Sequence, residues 1–299
     1  MTAAFLTVLL WTCSVIGAAR AAAALGGSYA NRWRLVIALI LLGVLLPFVG
    51  TLPHGHAFLW LLASGAVGLG IGDLAMYRGY ELVGPRLIVL LTQCLAAPIA
   101  GIIEWLWLGS APRPAQIAWI CMTIVGVALA LGPKALPKVD ARHLRAGIYM
   151  GLLSACGLAM AGVLTRQAAH AGDGSGLLLI GLAGGIGAAF VRNLGGSVAA
   201  FTAGWMVSAR SGAVPTRTIS RLRGWCWLIG TAFCGPAAGV VCYQWALIQA
   251  PAATVQAVLA LVPVLVMPVA WIVEGDRPSA MAWIGAVVAV AGAIGVACS

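Results

Sequence analysis

Charge is scarce in these 299 residues: Lys and Arg together number 17, Asp and Glu only 7, and the four types make up 8% of the chain. Soluble proteins carry about 25%. A water-facing surface for a domain of this size cannot be built from so few charges, and disordered or nucleic-acid-binding chains need more charge still. No GxxxxGK[ST] string occurs, so direct use of ATP through a phosphate-binding loop is excluded. The eight cysteines (13, 94, 121, 156, 226, 234, 242, 298) form no CxxC and lie almost wholly in apolar stretches. They read as small packing residues, not as a disulfide frame or zinc site. His54 and His56 make an HxH pair with no Cys or carboxylate beside it, which reads as a solvated turn rather than a metal site. What is abundant is hydrocarbon, since 62% of the residues are hydrophobic. The chain reads as a polytopic membrane protein with no cofactor.

A helix needs about 20 apolar residues to cross roughly 30 Å of hydrocarbon. Apolar runs fall at 3–19, 29–50, 57–79, 87–109, 115–132, 146–166, 176–208, 225–247, 252–273 and 279–298. The first run, followed by ArgAlaAlaAla, superficially resembles a signal peptide, but it lacks a basic leader and is read as a retained span. Residues 224–273 hold no charge over 50 positions, about 75 Å as one helix, so this stretch folds back, with Ala250-Pro251 as the natural break. Ten spans result, of which 176–208 is overlong and carries Arg192 and Asn193. Segments after odd-numbered spans hold most of the arginines and lysines, including Arg20, Arg78, Arg86, Lys134, Lys138 and Arg277, whereas those after even-numbered spans hold Arg113 and Arg166. That asymmetry places the odd loops in the cytoplasm and both termini outside, in a cell inner (cytoplasmic) membrane. The Arg-rich 207–223 segment reads as a solvated loop or as a strip along the headgroups.

The chain also repeats itself. RPAQIAWI at 113–120 returns as RPSAMAWI at 277–284, each copy leading into a small-residue helix. Tyr77 stands eight residues before Pro85, as Tyr243 stands eight before Pro251; Pro98 matches Pro263, Arg20 matches Arg166, and Arg34 matches Arg192. Residues 1–132 and 146–299 thus form two five-helix units joined by a basic connection at 133–145. Five is odd, so the units enter the bilayer in opposite orientations. The expected fold is an all-α integral membrane protein of ten transmembrane helices in two inverted repeats. Inverted repeats of this kind build carriers whose site lies near the midplane between the halves, with helix breaks at matched positions. Pro85, Pro98, Pro251 and Pro263 are the candidate breaks. The glycine run Gly65, Gly68, Gly70, Gly72 permits close helix packing.

On these residues the sequence resembles the drug/metabolite transporter superfamily, EamA type. The pattern of proline, apolar helix, turn and glycine-rich last helix stands here as Pro263 through ValGluGlyAspArgPro at 273–278, and as Pro98 through LeuGlySerAlaProArgPro at 108–114. Trp11 and Arg20 in span 1, with Arg34 opening span 2, also fit; Ser110 departs from the Glu often found in the turn. The resemblance implies a carrier of small metabolites or drug-like compounds, often an exporter, and names no substrate.

Ionisable groups inside spans are costly and ask for a reason. Asp73 in span 3 and Glu104 in span 4 lie well inside, at depths that differ by about 12 Å. Either carries a proton in antiport or attracts a cation. The bland alternatives are snorkelling of Glu104 beside Trp105 and Trp107, and pairing of Asp73 with Tyr77 or an arginine. Arg34 and Arg192 either face the cavity, where fixed cations hold an anionic group, or meet headgroups and acids. Trp11, Tyr77 and Tyr243 are candidates to line the substrate or are simply packed. GlyIleGlyAsp at 70–73 matches the GxGD string of intramembrane aspartyl proteases, but that chemistry needs two carboxylates a few ångströms apart, and no nucleophile–base pair is evident elsewhere. The reading is therefore a secondary transporter, not an enzyme, acting by alternating access and coupled to protons. Its partners are a small-molecule substrate and the lipid bilayer, with no nucleic acid, and it works as a monomer or homodimer. A flippase for a lipid-linked group and a non-transporting scaffold are the alternatives.

Overall fold

Helices fill the computed structural model, which describes residues 2–108, 113–130, 139–170, 181–208, 220–274 and 279–298. In chain order they are α1 (Thr2–Leu25), α2 (Gly27–Val49), α3 (Gly55–Val83), α4 (Pro85–Leu108) and α5 (Pro114–Ala130) in the first half. The second half holds α6 (Ala141–Ala169), α7 (Gly181–Ser208), α8 (Arg221–Gln249), α9 in two pieces (Ala252–Leu259 and Val262–Glu274), and α10 (Ala280–Cys298). The described residues thus give ten helical rods where the sequence predicts ten spans. Seven are long and apolar enough to cross a membrane, while α5 and α10 are shorter apolar helices. The 108–114 and 273–278 turns, residues 133–138 of the basic connection, the insertion ahead of Arg192 and the Arg-rich 207–223 segment lie wholly or mainly outside the described residues, while 139–145 lead into α6.

The rods run a few residues beyond the apolar stretches because polar residues cap them. Asp140 accepts a hydrogen bond from the Arg142 N–H and starts α6; Ser220 does the same for the Arg223 N–H at α8. Consecutive helices turn back within a single residue at Gly26 and Gly84, whose φ values of 88° and 82° are open to glycine and strained for other residues. Pro85 opens α4, where a missing N–H costs nothing, and Pro251 precedes α9. Pro263 stands in the first turn of the second piece of α9, just past the break at Ala260 and Leu261, whereas α4 continues through its counterpart Pro98. The four prolines are therefore not four breaks.

The repeat-bearing helices α5 and α10 are each other's principal neighbours. A methyl group at Gly126 would meet the backbone of Ala289, and one at Gly292 would meet Thr123. The halves meet again where α3 crosses α7. Gly65 lies against the Arg192 backbone, Gly195 against Leu62, and Gly70 against Ala199. Lipid offers no hydrophobic drive for two apolar helices to associate, so dispersion across small residues and interhelical hydrogen bonds hold such a seam. Beside that seam, Ser64 Oγ of α3 donates to the Ala161 carbonyl of α6 at 2.7 Å.

Candidate functional site

Two irregular segments stand at matched places in the two halves. Within α3, Ala66–Gly72 is wound as a π-helix, and within α8, Phe233–Ala237 is wound the same way. A π turn shifts the backbone register and frees carbonyls from the regular ladder. Each half supplies an asparagine to meet one of them. Asn31 Nδ2 on α2 donates to the Leu69 carbonyl at 3.3 Å, and Asn193 Nδ2 on α7 donates to the Pro236 carbonyl at 2.8 Å. In the sequence the glycine run 65–72 reads only as packing, and the Gly235-Pro236 pair is not singled out at all.

Between these segments lies a cavity that offers about 60 Å³ to the centres of water molecules. Trp11, Ser14, Val15 and Ala18 of α1, Arg34 of α2, Gly68, Leu69, Asp73, Met76 and Tyr80 of α3, and Val89, Thr92 and Gln93 of α4 form its first-half wall. Leu158 of α6, Arg192 of α7, and Gly235, Pro236 and Val240 of α8 close it from the second half. It reaches from mid-bundle towards the end of the molecule that carries the α1–α2 and α3–α4 turns.

The polar groups here are organised by the repeat. Arg34 forms an ion pair with Asp73, and its Nε and Nη2 also donate to Asn31 Oδ1, both at 3.1 Å. Its guanidinium lies 4.7 Å from the centre of the Tyr77 ring. In the other half, Arg192 lies 5.2 Å from the centre of the Tyr243 ring. A cation over an aromatic face gains from the ring quadrupole, most where water is excluded. The repeats part company at the acid. The residue matching Asp73 is Gly239, and Arg192 Nη1 instead donates to Gln244 Oε1 at 3.1 Å. The Tyr243 hydroxyl accepts from Gln256 Nε2 at 2.7 Å, and its ring lies 5.2 Å from that of Trp11.

Of the residues singled out from sequence, Trp11, Arg34, Asp73 and Arg192 are thus brought to one cavity, with Tyr77 and Tyr243 stacked beneath the two arginines. Thr92, Gln93, Met76 and Tyr80 were missed, because nothing in one dimension marks which face of an apolar helix looks inward. Pro85, Pro98, Pro251, Pro263 and Glu104 are not among the lining residues.

Glu104 sits elsewhere and does something different. It is 8% exposed, although Trp105 and Trp107 beside it are 43% and 45% exposed, so it does not snorkel with them. Its Oε1 accepts from the Ala252 N–H at 3.0 Å, at the start of α9. The same oxygen lies 3.6 Å from Arg166 Nε. Arg166 Nη1 in turn donates to the Leu247 and Ala250 carbonyls at 3.3 and 2.6 Å. One carboxylate thereby satisfies an open helix N-terminus while its arginine partner satisfies the open C-terminus of α8. This knot ties α4 of the first half to α6, α8 and α9 of the second, at the end opposite the cavity's long reach. Asp73 and Glu104 consequently have different partners and share no proton, which leaves the two-carboxylate protease arrangement unformed.

A bundle of inverted five-helix repeats enclosing a central charged cavity defines a membrane-carrier fold. The model of the EamA-like transporter family matches residues 1–132 and 145–298. The chain belongs to that family, within the drug/metabolite transporter superfamily, and is a multi-pass membrane transporter of small substrates. No curated protein matches it. Among solved structures 26 chains match; one, named only "Crystal structure of protein", is 16% identical, with a TM-score of 0.66 over 98% of this chain and 94% of that one. At that identity the likeness shows the fold alone.

Proposed function

We propose that the protein is a secondary exporter that carries small metabolites through the central cavity by alternating access. The observation that carries this reading is the position of the cavity: it lies between the two halves, with a buried ion pair and a second buried arginine in its wall. With the odd-numbered loops in the cytoplasm, as the arginine distribution implies, the cavity reaches towards the cytoplasmic side. The Glu104–Arg166 knot then closes the outer side. Export proceeds when the halves rock about the glycine seam, loosening the knot and closing the inner reach. Asp73 supplies the coupling. A proton on its carboxylate cancels the ion pair with Arg34 and releases α2 from α3, so the gradient acts on the contact that holds the inner wall together.

The carrier reading is tested by the extracellular metabolite profile of cells overproducing the protein, against cells holding an equal membrane level of Asp73→Asn. A few compounds enriched outside only with the intact protein are expected. No enriched compound in either strain, with the protein present in both membranes, would speak against an exporter, whereas equal enrichment in both would leave Asp73 a structural residue.

The outer knot has its own test. Glu104→Gln keeps an acceptor for the Ala252 N–H and loses the charge that faces Arg166, at a cost of about 1–2 kcal/mol; Glu104→Ala loses both contacts. Export per molecule of membrane protein is expected to fall from wild type to Gln to Ala. A knot that is only structural would lower thermal stability in that order and leave the rate per folded molecule unchanged.

A further inference from the structure

The cavity is asymmetric in charge, and that asymmetry selects a cargo. We infer that the substrate is a small organic monoanion, a carboxylate on an apolar body, and that Arg192 is the residue that holds it; this rests on the carrier reading above. Arg34 and Arg192 are equivalent in the repeat, yet only Arg34 has an acid beside it. Arg192 is 1% exposed, its hydrogen-bond partner is the neutral Gln244 Oε1, and its ring partner is Tyr243. Its Nε has no hydrogen-bond partner among the described residues, and none of the described carboxylates lies within ion-pair distance. A buried guanidinium with no carboxylate in ion-pair contact costs several kcal/mol, and Asp73, engaged by Arg34, reaches Arg192 only at longer range. A site keeps such a cost only where something repays it, and an incoming anion does so whenever cargo is bound.

The remaining surfaces narrow the chemistry. The guanidinium fork matches a carboxylate in plane and spacing and donates two parallel hydrogen bonds to it. On the α4 wall, Thr92 Oγ1 and Gln93 Oε1 line the same cavity, buried and without partners. Buried polar atoms of this kind are normally satisfied, and here a hydroxyl or amide on the cargo would satisfy both. The wall also carries apolar surface from Trp11, Met76 and Leu158. The ionised groups of the wall are Arg34, Asp73 and Arg192, which leave one net positive charge. A monoanion neutralises it; a dianion overshoots, and a cation adds a second uncompensated charge.

Thermal unfolding of the purified full-length protein, in detergent and at pH 7, gives the test. The probes are phenylacetate and hexanoate, their amides, the matching ammonium ions phenethylammonium and hexylammonium, and sodium chloride. Saturable stabilisation by the carboxylates is expected, with binding at least tenfold tighter than to the amides and no stabilisation by the ammonium ions. Arg192→Gln is expected to abolish the carboxylate effect, and Arg192→Lys, which keeps the charge and loses the fork, to retain part of it. The inference is overturned by equal stabilisation from the amides or the ammonium ions, by an undiminished carboxylate effect in Arg192→Gln, or by no effect from any probe. Stabilisation by chloride as strong as by the carboxylates overturns it in favour of an inorganic-anion site. The Lys variant guards against misfolding, because its charge still supports the same fold. The export profile separates the two levels: neutral or cationic compounds exported by the wild type would leave the carrier reading standing and remove the anion, whereas no exported compound would remove the carrier reading itself.

Discussion

Asp73→Asn is expected to destabilise the folded protein by about 3 kcal/mol and to abolish proton-driven flux. The side chain keeps its size and one oxygen, so packing is unchanged; what disappears is the negative charge facing Arg34. Arg34 is 4% exposed and cannot swing to water, so the cavity wall goes from one uncompensated cation to two. Removing one member of a buried pair costs far more than replacing both, because the survivor is stranded. The double variant Arg34→Gln/Asp73→Asn is therefore expected to recover most of the stability. It is not expected to recover coupling, since no group remains there to accept a proton. Thermal unfolding of the purified variants and pH-jump flux in proteoliposomes check the two halves of this expectation. Full pH-driven flux through Asp73→Asn at equal protein would sink the coupling role and leave Asp73 as a structural partner of Arg34.

Gly65→Ala is expected to be among the most damaging single methyl groups at the described positions, with a loss above about 3 kcal/mol and no transport. Its Cβ would meet the Arg192 carbonyl carbon and oxygen, that is, backbone within a helix, which cannot rotate aside. Overpacking usually costs about 1–3 kcal/mol where neighbouring side chains can shift; here α3 and α7 must separate as rods. Separation would also carry Arg192 away from the cavity and open the reciprocal contact of Gly195 with Leu62. Gly230→Ala on α8 is the matched control, because nothing lies within 4 Å of its added methyl. Better helix propensity is expected to leave that variant unchanged or more stable by up to about 1 kcal/mol. Equal melting temperatures for the two variants would show that the seam does not bear on stability.

These two residues also show how unevenly the molecule could be read from its sequence. Membrane class, helix count and the inverted repeat were legible because each is a one-dimensional property: apolar run length, charge spacing, and strings returning at a constant offset. Arg34 and Arg192 could be paired with each other for the same reason. Their fates could not, because the acid that distinguishes them lies on another helix. Asp73 is 39 residues from Arg34, and whether it met Arg34, Arg192 or Tyr77 depended on the rotation of α3 about its axis. That rotation is altered by the π segment 66–72, which no propensity scale announces.

Glu104 is the sharper case. Beside Trp105 and Trp107 its local sequence favoured an interfacial carboxylate, yet it is buried against an N–H that lies 148 residues on. An open helix terminus in a bilayer has no water to turn to, so it takes a partner from wherever the packing brings one. By itself, then, the sequence determined that this chain enters the membrane, how many times it crosses, and that it does so as two opposed copies. Only the tertiary structure decided which copy's arginine pairs with an acid and which meets a neutral amide instead. The reason is physical: burial makes a missing ionic partner costly, but only the docking of helices distant in sequence determines which partner is within reach.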